Sequence, residues 1–277
     1  MLFDRIETLT RHDIAVFIGY DPKEHDAAEV LAHSLRRHNP GNFAIVPLIY
    51  DELRAYGFYD RPLDPKGSTQ FSMSRFVVPK LAKMYDVKAA VFMDCDMLVT
   101  APFTENMFME PVNVCMHNYI PRYDTKMDNK IQEAYQRKNW SSFVCYNMES
   151  PELAPLYNND YLNNASPADL HRFRWIDDNL IGSLPLSWNY LVGETDWTPL
   201  PATDEEAAEA FKNKDTKRGI HISMYNLEEK ELPKNIHYTL GTPDLPLYND
   251  CQYNELWFDE YYLLHGKQHS ARTNFNK

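Results

Sequence analysis

Asp94 and Asp96 flank Cys95 at the point where the apolar run Ala89-Ala90-Val91-Phe92-Met93 stops. On an extended segment, side chains two apart point the same way. Both carboxylates therefore leave the end of such a strand together, and Cys95 faces the opposite side. Two acids held side by side raise each other's pKa and destabilise the fold unless something neutralises them. A divalent cation does so, and it also bridges to a diphosphate. A solvated turn with helix caps is the alternative reading. Ligands of open α/β sheets collect at the carboxyl ends of strands, which is where this pair stands. It is the only Asp-x-Asp in the chain, and its place after a wholly apolar run sets it apart from a chance pair.

Other chemistries find no support. The nine glycines never stand two apart and no Gly-Lys-Ser/Thr occurs, so there is neither a GxGxxG fingerprint nor a P-loop. Cys95, Cys115, Cys145 and Cys251 form no CxxC pair for zinc or redox work and read as free buried thiols. With 28 Lys+Arg against 40 Asp+Glu, the net charge of −12 disfavours general binding to nucleic acid. A small anionic substrate would need a metal or a basic pocket.

The elements that must position the two acids follow from periodicity. A chain of 277 residues, 44% of them hydrophobic, is long enough for one large α/β domain with a sizeable core. Ile14 to Ile18 reads as a strand. Asp21, Pro22 and Glu24 then read as a helix cap, first helical position and capping box. Ala27, Ala28, Leu31 and Leu35 share one helical face, and Phe43 to Ile49 is the expected partner strand. A short helix and a loop are expected over 51–70, and a helix broken or kinked by Pro79 over 70–85. Ala89 to Met93 reads as a strand buried on both faces. Further strands are expected at Val112 to Met116, Ser141 to Met148, Leu186 to Val192 and Ile236 to Leu240. The polar stretch His117 to Asn139 reads as a solvated helix and loop or a lid. Helices are expected over 167–184, 202–217 and 253–264. The domain is placed at 1–264, with a polar, frayed tail over 265–277. No apolar run approaches the roughly 20 residues of a membrane span. The first residues carry acidic charge in place of a secretory pattern, so a cytoplasmic location is expected.

Several segments, in order along residues 14 to 260, resemble the GT-A glycosyltransferases, most closely the retaining enzymes of family 8, which are glycogenin-like and bacterial lipopolysaccharide galactosyltransferase-like. They are Phe17-Ile18-Gly19-Tyr20-Asp21, Ser74-Arg75-Phe76 with Pro79, Val91 to Val99 around the paired aspartates, Asp177-Asp178-Asn179, and His237-Tyr238-Thr239-Leu240-Gly241-Thr242-Pro243. The resemblance implies a single Rossmann-like GT-A domain with a mixed central sheet flanked by helices. It also implies Asp94, Asp96 and His237 as ligands of a metal that holds the donor's diphosphate. Imidazole beside carboxylates suits Mn²⁺ better than Mg²⁺, though Mg²⁺ remains open. Gly19, Tyr20 and Asp21 match the nucleobase loop, and Asp94 and Gly241 also fall in the donor site. Arg75 matches an arginine near the donor, and Asp177 an acid that binds sugar hydroxyls. Asp178 stands where a glutamine is usual and would offer a carboxylate nucleophile. The lysine and tryptophan of the family's C-terminal motif are missing from Gly241 to Pro246.

The resemblance thus implies a metal-dependent, retaining transfer of a hexose from a nucleotide sugar, UDP-linked, to a carbohydrate or other hydroxyl acceptor. The acceptor loops would be His117 to Asn139, with Lys126, Lys130, Arg137 and Lys138, and residues 194 to 218. A nucleotidyltransferase on a similar sheet is one alternative. A non-catalytic nucleotide-sugar binding protein, suggested by the missing lysine, is another.

Overall fold

The computed structural model describes residues 2–41, 43–63, 69–119, 125–126, 130–131, 135–193, 222–223 and 232–272. The apolar, β-branched runs form the centre. β1 (Ile14–Gly19) pairs in parallel with β2 (Ala44–Leu48) on one side and β3 (Ala89–Met93) on the other. Next to β3, and antiparallel to it, runs β8 (Tyr135–Asn147), which in turn pairs antiparallel with β5 (Val112–Tyr119). β9 (Ile181–Leu184) and β11 (Ile222–Ser223) both pair with β5 and complete a seven-stranded mixed sheet. From β1 the chain goes out to one side for β2 and returns to the other for β3. The carboxyl ends of β1 and β3 therefore flank a topological switch point, where an open α/β sheet leaves a crevice.

Helix α1 (His25–His38) buries Ala27, Ala28, Leu31 and Leu35, the face anticipated from their spacing. Beyond β3 the chain turns through Asp94-Cys95-Asp96 into β4 (Met97–Val99). β4 is the edge of a second, three-stranded sheet with β12 (Asn235–His237) and β10 (Tyr190–Leu191). Helix α6 (Asn254–His265) seals that sheet with Trp257, Phe258 and Tyr261. The short helices are α2 (Tyr50–Ala55), α3 (Val78–Met84), α4 (Asn159–Asn164) and α5 (Pro167–His171). β6 (Thr125–Lys126) and β7 (Lys130–Ile131) form a small antiparallel pair.

Pro79 breaks the helical stretch and does not kink it: it stands in the first turn of α3, where its missing N–H costs nothing, and a separate 3-10 turn over Ser74–Val77 precedes it. Three expectations need correction. Only the start of 167–184 is helical. Ser166 caps α5, Phe173 takes a left-handed backbone (φ 55°) that ends it, and Ile181–Leu184 becomes a strand because β5 offers a parallel partner. The polar stretch from His117 to Asn139 contains the end of β5, β6, β7 and the start of β8, so strand pairing overrides its composition. The tail is not wholly frayed: His269 pairs with Asp26 at 3.2 Å and packs edge-on against Trp257. The helix expected over 202–217 and the acceptor segment 194–218 lie outside the described residues.

Gly19 ends β1 beneath the Phe71 ring, which occupies the space a Cβ would need. Gly19→Ala should therefore overpack the crevice and lower stability by about 1–3 kcal/mol. Combining it with Phe71→Leu should restore part of that loss in urea unfolding, a coupling that two independent sites would not show.

Candidate functional site

The two aspartates are placed by hydrogen bonding on both sides of the turn that holds them. The Asp94 N–H donates to Ser142 O on β8 (2.9 Å), and the Tyr238 N–H donates to Asp96 O (2.8 Å). Because β12 runs antiparallel to β4 with His237 opposite Met97, His237 comes to lie beside Asp96 although 141 positions separate them. One donor atom each from Asp94, Asp96 and His237 falls within 4.8 Å of the others. The structure thus brings together the three residues read as ligands. His237 is buried, and the aspartates are 15% and 19% exposed, so the cluster opens on one side through its acids.

Arg75 lies against this cluster with Nη1 3.0 Å from Asp94 Oδ1. Its guanidinium is buried against the neighbouring rings of Phe71 and Phe92 (5.5 and 5.0 Å to the centroids) and also donates to Ser72 O and Ser141 O. These contacts fix its plane independently of Asp94, making Arg75 a rigid positive charge at the edge of the site. Ser141 continues the wall, its hydroxyl 2.8 Å from His171 Nδ1.

Glu24 was expected to close a capping box, and the structure corrects this. Its carboxyl turns instead toward the sheet, where it accepts a hydrogen bond from Cys95 Sγ (3.4 Å). Burial, then the negative charge of Asp96, and further that of Asp21 and Asp94 push its pKa up to about 8. Burial, then Glu24, Asp96 and Asp94, push the Cys95 thiol well above its ordinary value, which disfavours the thiolate. All four cysteines are free, and only Cys251 is partly exposed.

The remaining sequence-derived positions separate into two groups. Asp21 is buried and accepts from the backbone N–H groups of Lys23 (3.1 Å) and Gln70 (3.2 Å), while Gly19 makes room for Phe71. Gly241 (φ 152°) lies where a Cβ would strike the Tyr248 ring. These three have packing or capping roles that account for their residue types. Tyr20 is half-buried, edge-on to His25, with its hydroxyl 3.1 Å from His25 Nδ1. Asp177 and Asp178 are exposed at the turn before β9, outside the metal-type cluster. Trp140, Trp188 and Tyr190 are buried and offer no open face to a sugar.

Sequence reading missed Glu24, Asn189, Ser142 and His171 as neighbours of the site. Glu24 was absorbed by its capping pattern, and the others stand in no motif. Only the depth of the acids' own field could have signalled that Glu24 belongs with them.

The cluster fits a divalent cation. Its donors are two carboxylates and an imidazole, a set suited to Mn²⁺, and His237 Nδ1 is engaged by Asn189 Oδ1 (2.8 Å), which directs Nε2 toward Asp96 (3.3 Å). Burial is the main cause of the raised pKa of Glu24, and the negative charge of Asp96, which a cation would relieve, adds to it. The raised pKa also has a consequence for stability. Glu24 ionises near its ordinary value in the unfolded chain but near 8 in the fold, so its contribution becomes progressively destabilising as pH rises between those limits. In metal-free protein, Glu24→Gln should gain stability relative to wild type from pH 5 to 8. A pH-independent difference in denaturant midpoint would contradict this electrostatic account.

Protein CDI of Arabidopsis thaliana is 34% identical to this chain over 249 residues, which cover 88% of this chain and 85% of that protein. No protein-family model matches. Among solved structures, the apo bifunctional glycosyltransferase WbbM superposes with a TM-score of 0.51 at 14% identity, over 93% of this chain and 52% of WbbM, so the chain spans about half of that protein's length. The galactosyltransferase LgtC, in complex with donor and acceptor sugar analogs, gives a TM-score of 0.48 at 13% identity, over 91% of this chain and 96% of LgtC. The mixed sheet is that of the GT-A glycosyltransferases, and the chain belongs to the family of Protein CDI.

Proposed function

We propose that this protein is a glycosyltransferase that binds a UDP-linked hexose donor through a divalent metal, Mn²⁺ in preference to Mg²⁺, and transfers the sugar with retention to a hydroxyl of a carbohydrate or other acceptor. The observation that carries this reading is the Asp94, Asp96 and His237 cluster, assembled from two sheets at the switch point of a GT-A fold. In this reading those three residues hold the metal, and Asp94 also belongs to the donor site. A cation bound there supplies the positive charge that a departing diphosphate needs.

The chain's own residues do the rest by position and charge. Arg75, packed on two rings and bonded to two backbone carbonyls, offers a fixed guanidinium edge to a phosphate or to a carboxylate that contacts the sugar. That role matters more here because Gly241 to Pro246 lacks a lysine. Gly19, Tyr20 and Asp21 form the nucleobase loop in this reading, with the ring of Tyr20 as its stacking surface and Asp21 holding the loop to Gln70. Gly241 keeps the segment after His237 tight against Tyr248. Asp177 binds donor hydroxyls, and Asp178 is the candidate nucleophile. A cytoplasmic location belongs to the same reading, supported by three buried free thiols. No helix among the described residues is long and apolar enough to cross a membrane.

Calorimetric titration of UDP with Mn²⁺ and with the metal chelated tests the reading. Tight binding only with Mn²⁺, lost by at least about tenfold in Asp96→Asn, is the expected result. Release of UDP from UDP-sugars should follow. Diphosphate formation from a nucleoside triphosphate would identify a nucleotidyltransferase instead, and metal-dependent UDP binding with neither transfer nor donor hydrolysis would identify a binding protein. Unchanged turnover in Asp178→Asn would remove that residue as nucleophile.

A further inference from the structure

A neutral imidazole carries one proton on two nitrogens, so His237 can present a lone pair to a cation at Nε2 only if Nδ1 holds the proton. The partner of Nδ1 is the Asn189 side chain, fully buried between the 3-10 turn Leu186–Trp188 and β10. Asn189 Oδ1 lies 2.8 Å from His237 Nδ1, and the Ser142 hydroxyl donates to the same oxygen at 3.4 Å. The backbone fixes the residue as well, since the Asn189 N–H donates to Leu186 O (2.9 Å). Neighbouring Asn235 is tied to the same turn through Trp188 O (2.9 Å).

From this geometry we infer that Asn189 is a positioning residue that sets the tautomer of His237 and so makes Nε2 a metal ligand. The inference rests on the metal-site reading above. With its carbonyl toward His237, the Asn189 amide accepts the Nδ1 proton and leaves the Nε2 lone pair facing the carboxylates. The opposite amide orientation would donate to Nδ1 and place a proton on Nε2, where it would bond to Asp96 and close the position to a cation. A single buried amide therefore selects between a metal ligand and a simple His–Asp hydrogen bond. Ser142, one residue from the Arg75 acceptor Ser141, ties this choice to the strand that also carries the Asp94 backbone bond.

The test is titration of Mn²⁺ alone into metal-free protein, followed by electron paramagnetic resonance of the free ion. Asn189→Leu, which keeps the branched shape and removes the acceptor, should weaken Mn²⁺ binding about 10–100-fold. Asn189→Asp, which keeps an acceptor at Nδ1, should bind at least as tightly as wild type, a rescue that loss of packing alone would not produce. Nitrogen-15 spectra of histidine in the metal-free wild type at about pH 8 should show the Nδ1–H form of His237. This measurement decides the matter even if Asn189→Leu does not fold. An Nε2–H form, or equal Mn²⁺ affinity in Asn189→Leu and wild type, overturns the inference. Absence of Mn²⁺ binding by the wild type overturns the metal site itself, and that outcome is distinct from both.

Discussion

Negative charge gathered at the end of β3 is the constraint around which the surrounding structure is arranged. Asp94 and Asp96 leave the sheet together, and Asp21 and Glu24 arrive from the end of β1 close enough to be felt. Each unscreened pair a few ångströms apart costs on the order of 4 kcal/mol at the effective dielectric of a partly buried site. The chain answers in three ways. Arg75 is held against Asp94 by aromatic rings and backbone carbonyls, Asp21 is consumed by backbone N–H groups, and the pKa of Glu24 is raised toward the neutral form. What is left, around Asp94, Asp96 and His237, is the charge that a cation would balance.

That remainder is unusual in how firmly it is positioned. Asp94 is pinned to β8, Asp96 to the residue after β12, and His237 to Asn189. The two acids sit in the short turn from β3 to β4 and the imidazole on β12, so their spacing follows from how the two sheets meet. Groups held by strand pairing lose little freedom when a ligand arrives, which is the physical advantage of building a charged site at a sheet edge. Cys95 illustrates the same economy, because the alternation that turns the two acids outward buries the thiol between them.

How much of this was legible in the residues follows from the range of the forces involved. β1, α1, β2 and β3 were readable because their burial is written locally, in apolar runs and in Ala27, Ala28, Leu31 and Leu35 at helical spacing. The Asp-x-Asp step was readable because it interrupts such a run. Long-range pairing was not. Ile181–Leu184 is a strand only because β5 lies beside it, and the described residues at the end of β5 and the start of β8 are strand because the two extend each other. His237 could be connected to the aspartates through resemblance but not through spacing. Glu24 shows the subtler failure, since a residue that satisfies a capping pattern can be drawn away by a buried thiol and a sheet edge. Asn189 and Ser142 carry no local signal, because their significance lies wholly in which nitrogen of a distant imidazole they touch.

The join between the two sheets gives the site a mechanical meaning as well as a chemical one. β4 follows β3 of the central sheet into the smaller one, and Asp94 and Asp96 occupy the turn between them. β12, which pairs with β4, brings His237, and α6 packs on the same small sheet through Trp257, Phe258 and Tyr261. A cation bridging Asp94, Asp96 and His237 would therefore cross-link the central sheet to the C-terminal part of the chain. Its binding energy would appear as added stability of the folded form by mass action, about 2.7 kcal/mol at a hundredfold excess over its dissociation constant. Ligand occupancy and the docking of the C-terminal elements are then one equilibrium, because the same turn that presents the acids also carries the chain from one sheet to the other.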